Sequence, residues 1–225
     1  MSATRRSVFA AEIPALPAGY TGLPRELVEA SQRQRLIHGV TMAVADKGFA
    51  AATVTDITER AGVSKKTFYE LFDDKLGCFL AAYDHGARAI LEHTAAASMQ
   101  ARADGASAVD QLHAGTHAYL EFLVFEEPYA RTFCLEMLAA GPEAVSRHRA
   151  CRESFATSLA AWYELNRPDH PEWRKASPFA FEAATGVVYE VTSARIAARR
   201  VEQLPAVEDD LVAAQLAILG VAGRR

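Results

Sequence analysis

Apolar residues recur along most of the chain at intervals of three and four positions, the spacing that places them on one face of an α-helix. The first such stripe lies between about residues 31 and 47 and consists of Leu36, Ile37, Val40, Ala43 and Val44. No segment alternates between apolar and polar residues for long enough to predict a strand. The pattern therefore predicts an all-α protein with about nine helices.

The remaining helices are predicted at about residues 54–61, 65–72, 74–99, 107–125, 128–138, 142–165, 178–200 and 207–221. Residues 1–30 contain several prolines and glycines, which preclude a long helix, and we expect a flexible N-terminal arm there. Residues 31–77 are expected to form a small three-helix head. Residues 78–225 are expected to form a larger helical domain.

Two short helices joined by a tight turn are predicted in the head. Thr53 and Asp56 have the spacing of a capping box at the start of the first helix. Gly62 provides the left-handed backbone conformation that a tight turn needs, and Ser64 caps the start of the second helix. This arrangement is typical of a helix-turn-helix, in which the second helix enters a groove of DNA.

The second helix of this motif has two different faces. Phe68, Leu71 and Phe72 share the face that must pack on neighbouring helices. The other face carries Lys66, Tyr69 and Glu70, with Lys65 and Thr67 at its edges, and these groups suit phosphates and base edges. Lys75 follows in the first turn of the next helix, where a cation opposes the helix dipole. Either a DNA phosphate at that helix end accounts for it, or Lys75 is solvated and balanced by Asp73 and Asp74.

From about Arg35 to Tyr83 the chain resembles the DNA-binding domain of the TetR family of repressors. The resemblance is carried by Lys47-Gly48-Phe49, Thr53-Val54, Asp56-Ile57, Ala61-Gly62-Val63-Ser64, Lys65-Lys66-Thr67-Phe68-Tyr69, Phe72 and Lys75. It implies that Lys65, Lys66 and Thr67 approach bases. It also implies that Thr53, Thr55, Tyr69 and Lys75 hold phosphates, and we include Ser64 among the residues expected at the DNA. The sequence departs from the family at Ala52, Thr58, Leu71 and Gly77, and Leu71 removes one phosphate donor.

The last two helices carry apolar residues on more than one side, so each must be buried on more than one side. Small residues there allow helices to approach closely. The family resemblance implies a four-helix interface between two copies of the chain, whereas a monomer with two core helices is the alternative. The residues expected in the dimer interface are Ala183, Gly186, Val187, Leu211, Gln215 and Ile218.

The resemblance also implies that the middle helices enclose a small-molecule effector. The aromatic and thioether side chains that we assign to this pocket are Phe122, Phe125, Tyr129, Phe133, Met137 and Trp162. At helical spacing, such side chains are also typical of an ordinary core. The sequence does not indicate which of His113, His117, Glu121 or Glu136 points inward.

Composition and charge limit further the classes of function that are possible. The net charge is −4, which argues against a general nucleic-acid coat protein, and basic residues gather in the head. The three cysteines are far apart and are expected to be small buried groups in a reducing compartment. No segment reaches the length of a membrane span. The pair Arg5-Arg6 lacks the apolar run of an export signal, so we expect a cytoplasmic protein.

Enzymatic and metal-binding functions lack the residues they need. The chain has no G-x-S-x-G, Walker or G-x-G-x-x-G motif. His113 and His117 are four residues apart, but no glutamate completes an H-E-x-x-H motif, and we predict neither a metal nor a cofactor.

The helix-turn-helix and the family resemblance together predict a ligand-responsive transcriptional regulator, a repressor that binds a palindromic operator as a homodimer and is released by a small molecule. Two alternatives remain. One is a helical sensor or partner-binding protein without specific DNA binding, and the other is an activator or nucleoid-type protein without a ligand. Arg5, Arg6 and Arg25 either extend the DNA contact along the duplex or into its minor groove, or belong to a disordered leader.

Overall fold

The computed structural model describes Ser7 and residues 24–221. All regular structure in these residues is helical, which confirms the predicted all-α class. The α-helices are α1 (Arg25–Lys47), α2 (Val54–Ala61), α3 (Lys65–Leu71), α4 (Lys75–Ala103), α5 (Ala108–Phe125), α6 (Glu127–Leu135), α7 (Pro142–Asn166), α8 (Pro178–Ala197) and α9 (Glu208–Leu219). Short 3₁₀ helices lie between α7 and α8, at Arg167–Asp169, and between α8 and α9, at Val201–Gln203 and Pro205–Val207.

The first helix begins earlier than the sequence pattern indicated. It starts at Arg25, directly after Pro24, rather than near residue 31. Residues 25–30 are polar, exposed or only partly buried, so they add no clear apolar stripe to the pattern. An ion pair at 2.6 Å joins Arg25 and Glu29 across one turn, and these six residues therefore belong to α1 and not to an arm.

The chain divides into two compact units. Of the described residues, the first contains those up to residue 87 and residues 128–144, and the second contains residues 88–127 and 145–221. This division differs from the predicted boundary at residues 77 and 78, because the start of α4 and most of α6 belong with the head. Periodicity within each helix does not show which other helix it joins.

In the first unit, α1 packs closely on α2. A Cβ atom added to Gly39 of α1 would lie 2.7 Å from the carbonyl oxygen of Ile57, so only glycine permits this approach. Leu36, Val40 and Ile57 are completely buried in this contact region. The thiol of Cys78 donates to the carbonyl of Leu36 at 3.7 Å, and burial raises its pKa to about 12.

The second unit has its own core, which joins α5, α7, α8 and α9. Its buried side chains include Leu112, Trp162, Tyr163, Phe181, Val212 and Leu216. Polar groups are also buried here and are paired across the helices. Asn166 donates to Gln111 at 3.1 Å and accepts from Arg102 at 2.8 Å, and Thr116 donates to Gln215 at 3.4 Å.

Candidate DNA-binding interface

The start of α2 is fixed by reciprocal hydrogen bonds. The backbone N–H of Asp56 donates to the hydroxyl of Thr53 at 3.2 Å, and the N–H of Thr53 donates to the Asp56 carboxylate at 2.9 Å. The ammonium of Lys47 lies 2.5 Å from the same carboxylate. The Lys47 ammonium, together with the hydroxyl and N–H of Thr53, holds the pKa of Asp56 well below its usual range. Thr53 and Asp56 therefore form the capping box that the sequence predicted.

The turn between α2 and α3 depends on a left-handed residue. Gly62 has φ 59° and ψ 40°. Its N–H donates to the carbonyl of Glu59 at 3.3 Å, and the N–H of Val63 donates to the carbonyl of Thr58 at 3.1 Å. These bonds satisfy the last carbonyls of α2 in the pattern of a Schellman motif. They fix the direction in which the chain enters α3.

The inner side of α3 is anchored in the first unit. Ser64 caps the helix by accepting from the N–H of Thr67 at 3.0 Å. Phe68 is fully buried, Phe72 is nearly so, and their ring centroids are 5.9 Å apart. The guanidinium of Arg33 lies over the Phe72 ring at 4.4 Å and donates to the carbonyl of Leu71 at 3.4 Å. A helix of seven residues is thus held by its caps and by aromatic packing.

The outer side of α3 is exposed and polar. Lys65 and Lys66 are exposed, Thr67 is half-buried, and the side chain of Tyr69 is 58% exposed although it adjoins the buried Phe68. Lys66 lies 3.8 Å from Glu70 of the same helix. Ammonium, hydroxyl and phenol groups on one rigid surface are suited to contact phosphates and base edges.

The remaining residues expected at phosphates also have contacts within the chain. The hydroxyl of Thr53 donates to Asp56 at 2.7 Å, and the carbonyl of Thr55 accepts from the hydroxyl of Thr58 at 3.1 Å. Lys75 donates to the carbonyls of Phe49 and Ala52 at 2.6 and 2.8 Å.

Lys75 therefore has intramolecular partners that the sequence did not reveal. Its ammonium also lies 4.3 Å from the centroid of the Phe49 ring, and burial lowers its pKa. These contacts explain a cation at the start of α4 without any phosphate. A phosphate contact at Lys75 stays a prediction.

Sequence reasoning considered Glu136 only as a group that could point inward at the effector pocket, and did not connect this carboxylate with the motif. Glu136 follows α6 and accepts a hydrogen bond from the backbone N–H of Phe49 at 2.8 Å. Thr132, one turn earlier, donates to the carbonyl of Thr41 in α1 at 3.0 Å. No local pattern signals these bonds, because their partners are 87 and 91 positions apart in the chain.

The side chains assigned to the effector pocket belong to both units. Tyr129, Phe133 and Met137 lie in the first unit, where the Phe133 ring is 5.1 Å from that of Phe79 and 4.7 Å from that of Tyr129. The other three, Phe122, Phe125 and Trp162, lie in the second unit. Phe122 and Trp162 are buried there, whereas Phe125 is 44% exposed.

The residues assigned to a dimer interface differ in exposure. Leu211 and Gln215 are buried within the chain itself, which removes them from the surface available to a second copy. Ala183, Gly186 and Val187 are partly exposed, and Ile218 is 37% exposed. Phe179, one turn before Ala183 and absent from the predicted set, is 75% exposed.

The two histidines that we considered as metal ligands face a carboxylate of α9. His117 lies 2.8 Å and His113 lies 3.4 Å from the Glu208 oxygens. In the part of the chain that the structure describes, no three histidine, cysteine or acidic side chains are placed to hold a metal ion. Among the same residues, no helix has the length and apolar character needed to cross a membrane. Arg5 and Arg6 of the predicted arm lie outside the described residues.

Residues 36–82 match the family of bacterial regulatory proteins described as the tetR family. This segment runs from α1 to α4 and contains the whole helix-turn-helix. It begins and ends within one residue of the resemblance that we identified from the motifs.

Solved structures of regulators share the fold over most of the chain. The fatty acid degradation regulator FadR from Bacillus halodurans is 17% identical, with a TM-score of 0.71, and the match covers 85% of this chain and 98% of that one. FadR from Bacillus subtilis in complex with stearoyl-CoA is 14% identical, with a TM-score of 0.69 and coverages of 84% and 98%. A TetR-like transcriptional regulator from Rhodococcus sp. RHA1 is 21% identical, with a TM-score of 0.64 and coverages of 90% and 100%.

Proposed function

Because residues 36–82 match the tetR family of bacterial regulatory proteins, we propose that the chain is a transcriptional repressor whose homodimer binds a palindromic operator and is released by a small molecule. The outer face of α3 is the observation that carries this proposal. Lys65, Lys66 and Tyr69 are exposed on a helix whose other side is anchored by Phe68. Such a rigid, polar, cationic surface has the chemistry to read a DNA groove.

Selection of bound sequences from a random duplex pool tests the DNA-binding part. We expect the wild-type chain to enrich a palindrome and the variant Lys65→Ala/Tyr69→Ala to enrich none. Lys175→Ala, which removes an exposed lysine of the second unit, is the matched control and should enrich the same palindrome. If the folded wild-type chain enriches nothing, the alternative of a sensor or partner-binding protein without specific DNA binding replaces this proposal.

The homodimer is supported by the exposed apolar side of α8. Phe179, Ala183 and Val187 follow one another at intervals of four residues, and Ile218 of α9 is also exposed. Pairing of α8 and α9 with a second copy would cover this surface. In a homodimer bound to a palindrome, the two copies of α3 would occupy successive major grooves, about 34–36 Å apart.

Sedimentation velocity tests the homodimer. A charge placed in the contact should dissociate it, so we expect Val187→Arg to be monomeric at concentrations at which the wild-type chain is dimeric. Glu182→Arg places the same charge at an exposed position of the same helix and should leave the dimer intact. A wild-type chain that sediments as a monomer would refute the proposal directly.

The effector site is supported by buried polar atoms in the second unit. Thr94 Oγ1 and Trp162 Nε1 are buried, and neither has a hydrogen-bond partner among the residues that the structure describes. A bound molecule with an acceptor group would satisfy the indole N–H, and burying such a group without a partner is otherwise costly. We therefore place the effector in the second unit, next to Trp162.

A long-chain acyl-CoA is the first effector to test, because the similar Bacillus subtilis regulator was solved with stearoyl-CoA. We expect stearoyl-CoA, but not coenzyme A alone, to raise the melting temperature and to release the selected duplex. Trp162→Phe keeps an aromatic side chain but removes the N–H donor, and it should weaken the response. Release that is unchanged in this variant would place the effector elsewhere.

A further inference from the structure

We infer that Glu136 is a positioning residue for DNA binding, although it lies more than fifty residues beyond the segment that matches the tetR family. Its carboxylate accepts the N–H of Phe49, in the loop between α1 and α2, at 2.8 Å. This inference rests on the proposed function, since the position of the helix-turn-helix matters only if it binds DNA.

The loop between α1 and α2 is held from two sides. Lys75 donates to the carbonyls of Phe49 and Ala52, and Glu136 accepts from the N–H of Phe49. Gly48, at the start of the loop, has φ 77°, and a Cβ added there would lie 3.3 Å from the Glu136 carboxylate. The loop leads directly into Thr53, the N-cap of α2, so its position determines where α2 and α3 begin.

Glu136 is itself firmly placed within the first unit. Its backbone N–H donates to the carbonyl of Thr132 at 3.1 Å, and Thr132 in turn donates to the carbonyl of Thr41. The ring of Phe133 packs 5.1 Å from that of Phe79 in α4. The carboxylate is thus held at the loop by neighbours on α6, rather than resting there as a free side chain.

The segment that carries Glu136 is connected at both of its ends to the second unit. The chain leaves the second unit after Glu127 and returns to it at Val145, so residues 128–144 are joined covalently to that unit at both ends. A change in α5 or α7 on effector binding therefore acts on this segment through the backbone. Within this segment, the side chain of Glu136 bonds the loop before α2.

Whether DNA binding weakens or strengthens when the Glu136 carboxylate is removed distinguishes a positioning role from a purely electrostatic one. Removing a carboxylate from a DNA-binding protein lowers electrostatic repulsion and, on that ground alone, should strengthen binding to any duplex. Loss of the acceptor for Phe49 N–H instead leaves a half-buried donor without a partner and frees the loop. Glu136→Ala should therefore weaken specific binding, whereas Glu136→Gln retains a carbonyl acceptor and should restore it.

The experiment measures the affinity of each variant for the duplex selected by the wild-type chain, well below the melting temperature. We expect Glu136→Ala to bind this duplex about tenfold more weakly, with an equal or slightly higher affinity for a random duplex and an unchanged salt slope. Glu136→Gln should bind at least as tightly as the wild-type chain. Glu127→Ala removes an exposed carboxylate from the first residue of α6, the helix that precedes Glu136, and serves as the control. Specific binding by Glu136→Ala that equals or exceeds that of the wild-type chain overturns the inference.

Hydrogen exchange at the Phe49 amide provides a second readout that does not depend on DNA. We expect this amide to be protected in the wild-type chain and in Glu136→Gln, and to exchange faster in Glu136→Ala. If the wild-type chain selects no duplex, the proposed function fails, and exchange at Phe49 still tests whether Glu136 holds the loop. Exchange that is the same in all three proteins overturns the inference even if DNA binds.

Discussion

The helix-turn-helix and the second unit are both helical, but they are stabilised over different distances along the chain. In the helix-turn-helix, the caps at Thr53 and Ser64 bond residues three positions away. In the second unit, Asn166 bonds Gln111 and Arg102, which are 55 and 64 positions away. Local bonds leave a signature in the sequence, whereas long-range bonds do not. The local structure of the first region could therefore be predicted at the level of residues, and the packing of the second could not.

The largest effect on stability is expected at α3, where a buried and an exposed aromatic residue are adjacent. Phe68→Ala removes a fully buried ring and should lower the free energy of unfolding of the head by about 3–5 kcal/mol. Tyr69→Ala removes an exposed ring and should change stability by less than about 0.5 kcal/mol while weakening DNA binding. Urea unfolding and duplex titration of both variants provide the measurements. Equal losses of stability would contradict the two-faced helix.

A long-range bond in the second unit should have the next largest effect. Asn166→Ala leaves Gln111 and Arg102 without this partner and should lower the free energy of unfolding by about 1.5–3 kcal/mol. Gln100→Ala removes an exposed bond from α4 to Asp104, just beyond its end, and should cost much less. Chemical denaturation followed by the fluorescence of Trp162 and Trp173 measures both. Similar values for the two variants would mean that the buried network is not important for stability.

The capping box of α2 should contribute less and should depend on pH. Thr53→Ala should lower the free energy of unfolding by about 1 kcal/mol. The pKa of Asp56 is lowered in the folded state, so its ionised form stabilises the fold. This contribution should be complete above the unfolded pKa of about 3.9 and should be lost as the pH falls toward the folded pKa.

Asp56→Asn measures this contribution directly. The difference in stability between the variant and the wild-type chain should be constant near neutral pH and should shrink below about pH 4. Glu59→Gln, at an exposed position of the same helix, is the matched control. A difference that grows on acidification would have the wrong sign for the assigned hydrogen bonds.

The smallest effect is expected at the carboxylate on the outer face of α3. Glu70 lies 3.8 Å from Lys66, and both side chains are exposed, so Glu70→Gln should change stability by less than about 0.5 kcal/mol. Removing the negative charge should nevertheless tighten DNA binding by about two- to fivefold at low salt. Titrations at several salt concentrations measure this change. Weaker binding by the variant would place Glu70 in a direct base contact.

Several features of the head could be predicted from the sequence. The spacing of Thr53 and Asp56, the glycine at position 62 and the aromatic pair Phe68 and Phe72 indicated the two helices and the turn between them. Helix ends elsewhere were also located to within a few residues by glycine and proline. The start of α1 was missed because residues 25–30 contribute no apolar stripe to the pattern.

The predictions for the second half of the chain were less precise for a physical reason. An apolar residue at helical spacing faces a partner, but the spacing does not say whether that partner is the same chain, a second copy or a ligand. Leu211 and Gln215 have the spacing of an interface and are buried within the chain. Phe133 has the spacing of a pocket residue and packs on Phe79.

By itself, the sequence determined the helical class and the two faces of α3, because caps, turns and helix faces arise from residues within about four positions of one another. Only the tertiary structure assigned Lys75 to the carbonyls of Phe49 and Ala52, and Glu136 to the N–H of Phe49. The tertiary structure was also needed to show that residues 128–144 belong to the same compact unit as the head. These contacts pair groups that are 23 to 87 positions apart, and no local pattern specifies which distant group satisfies a given donor or acceptor.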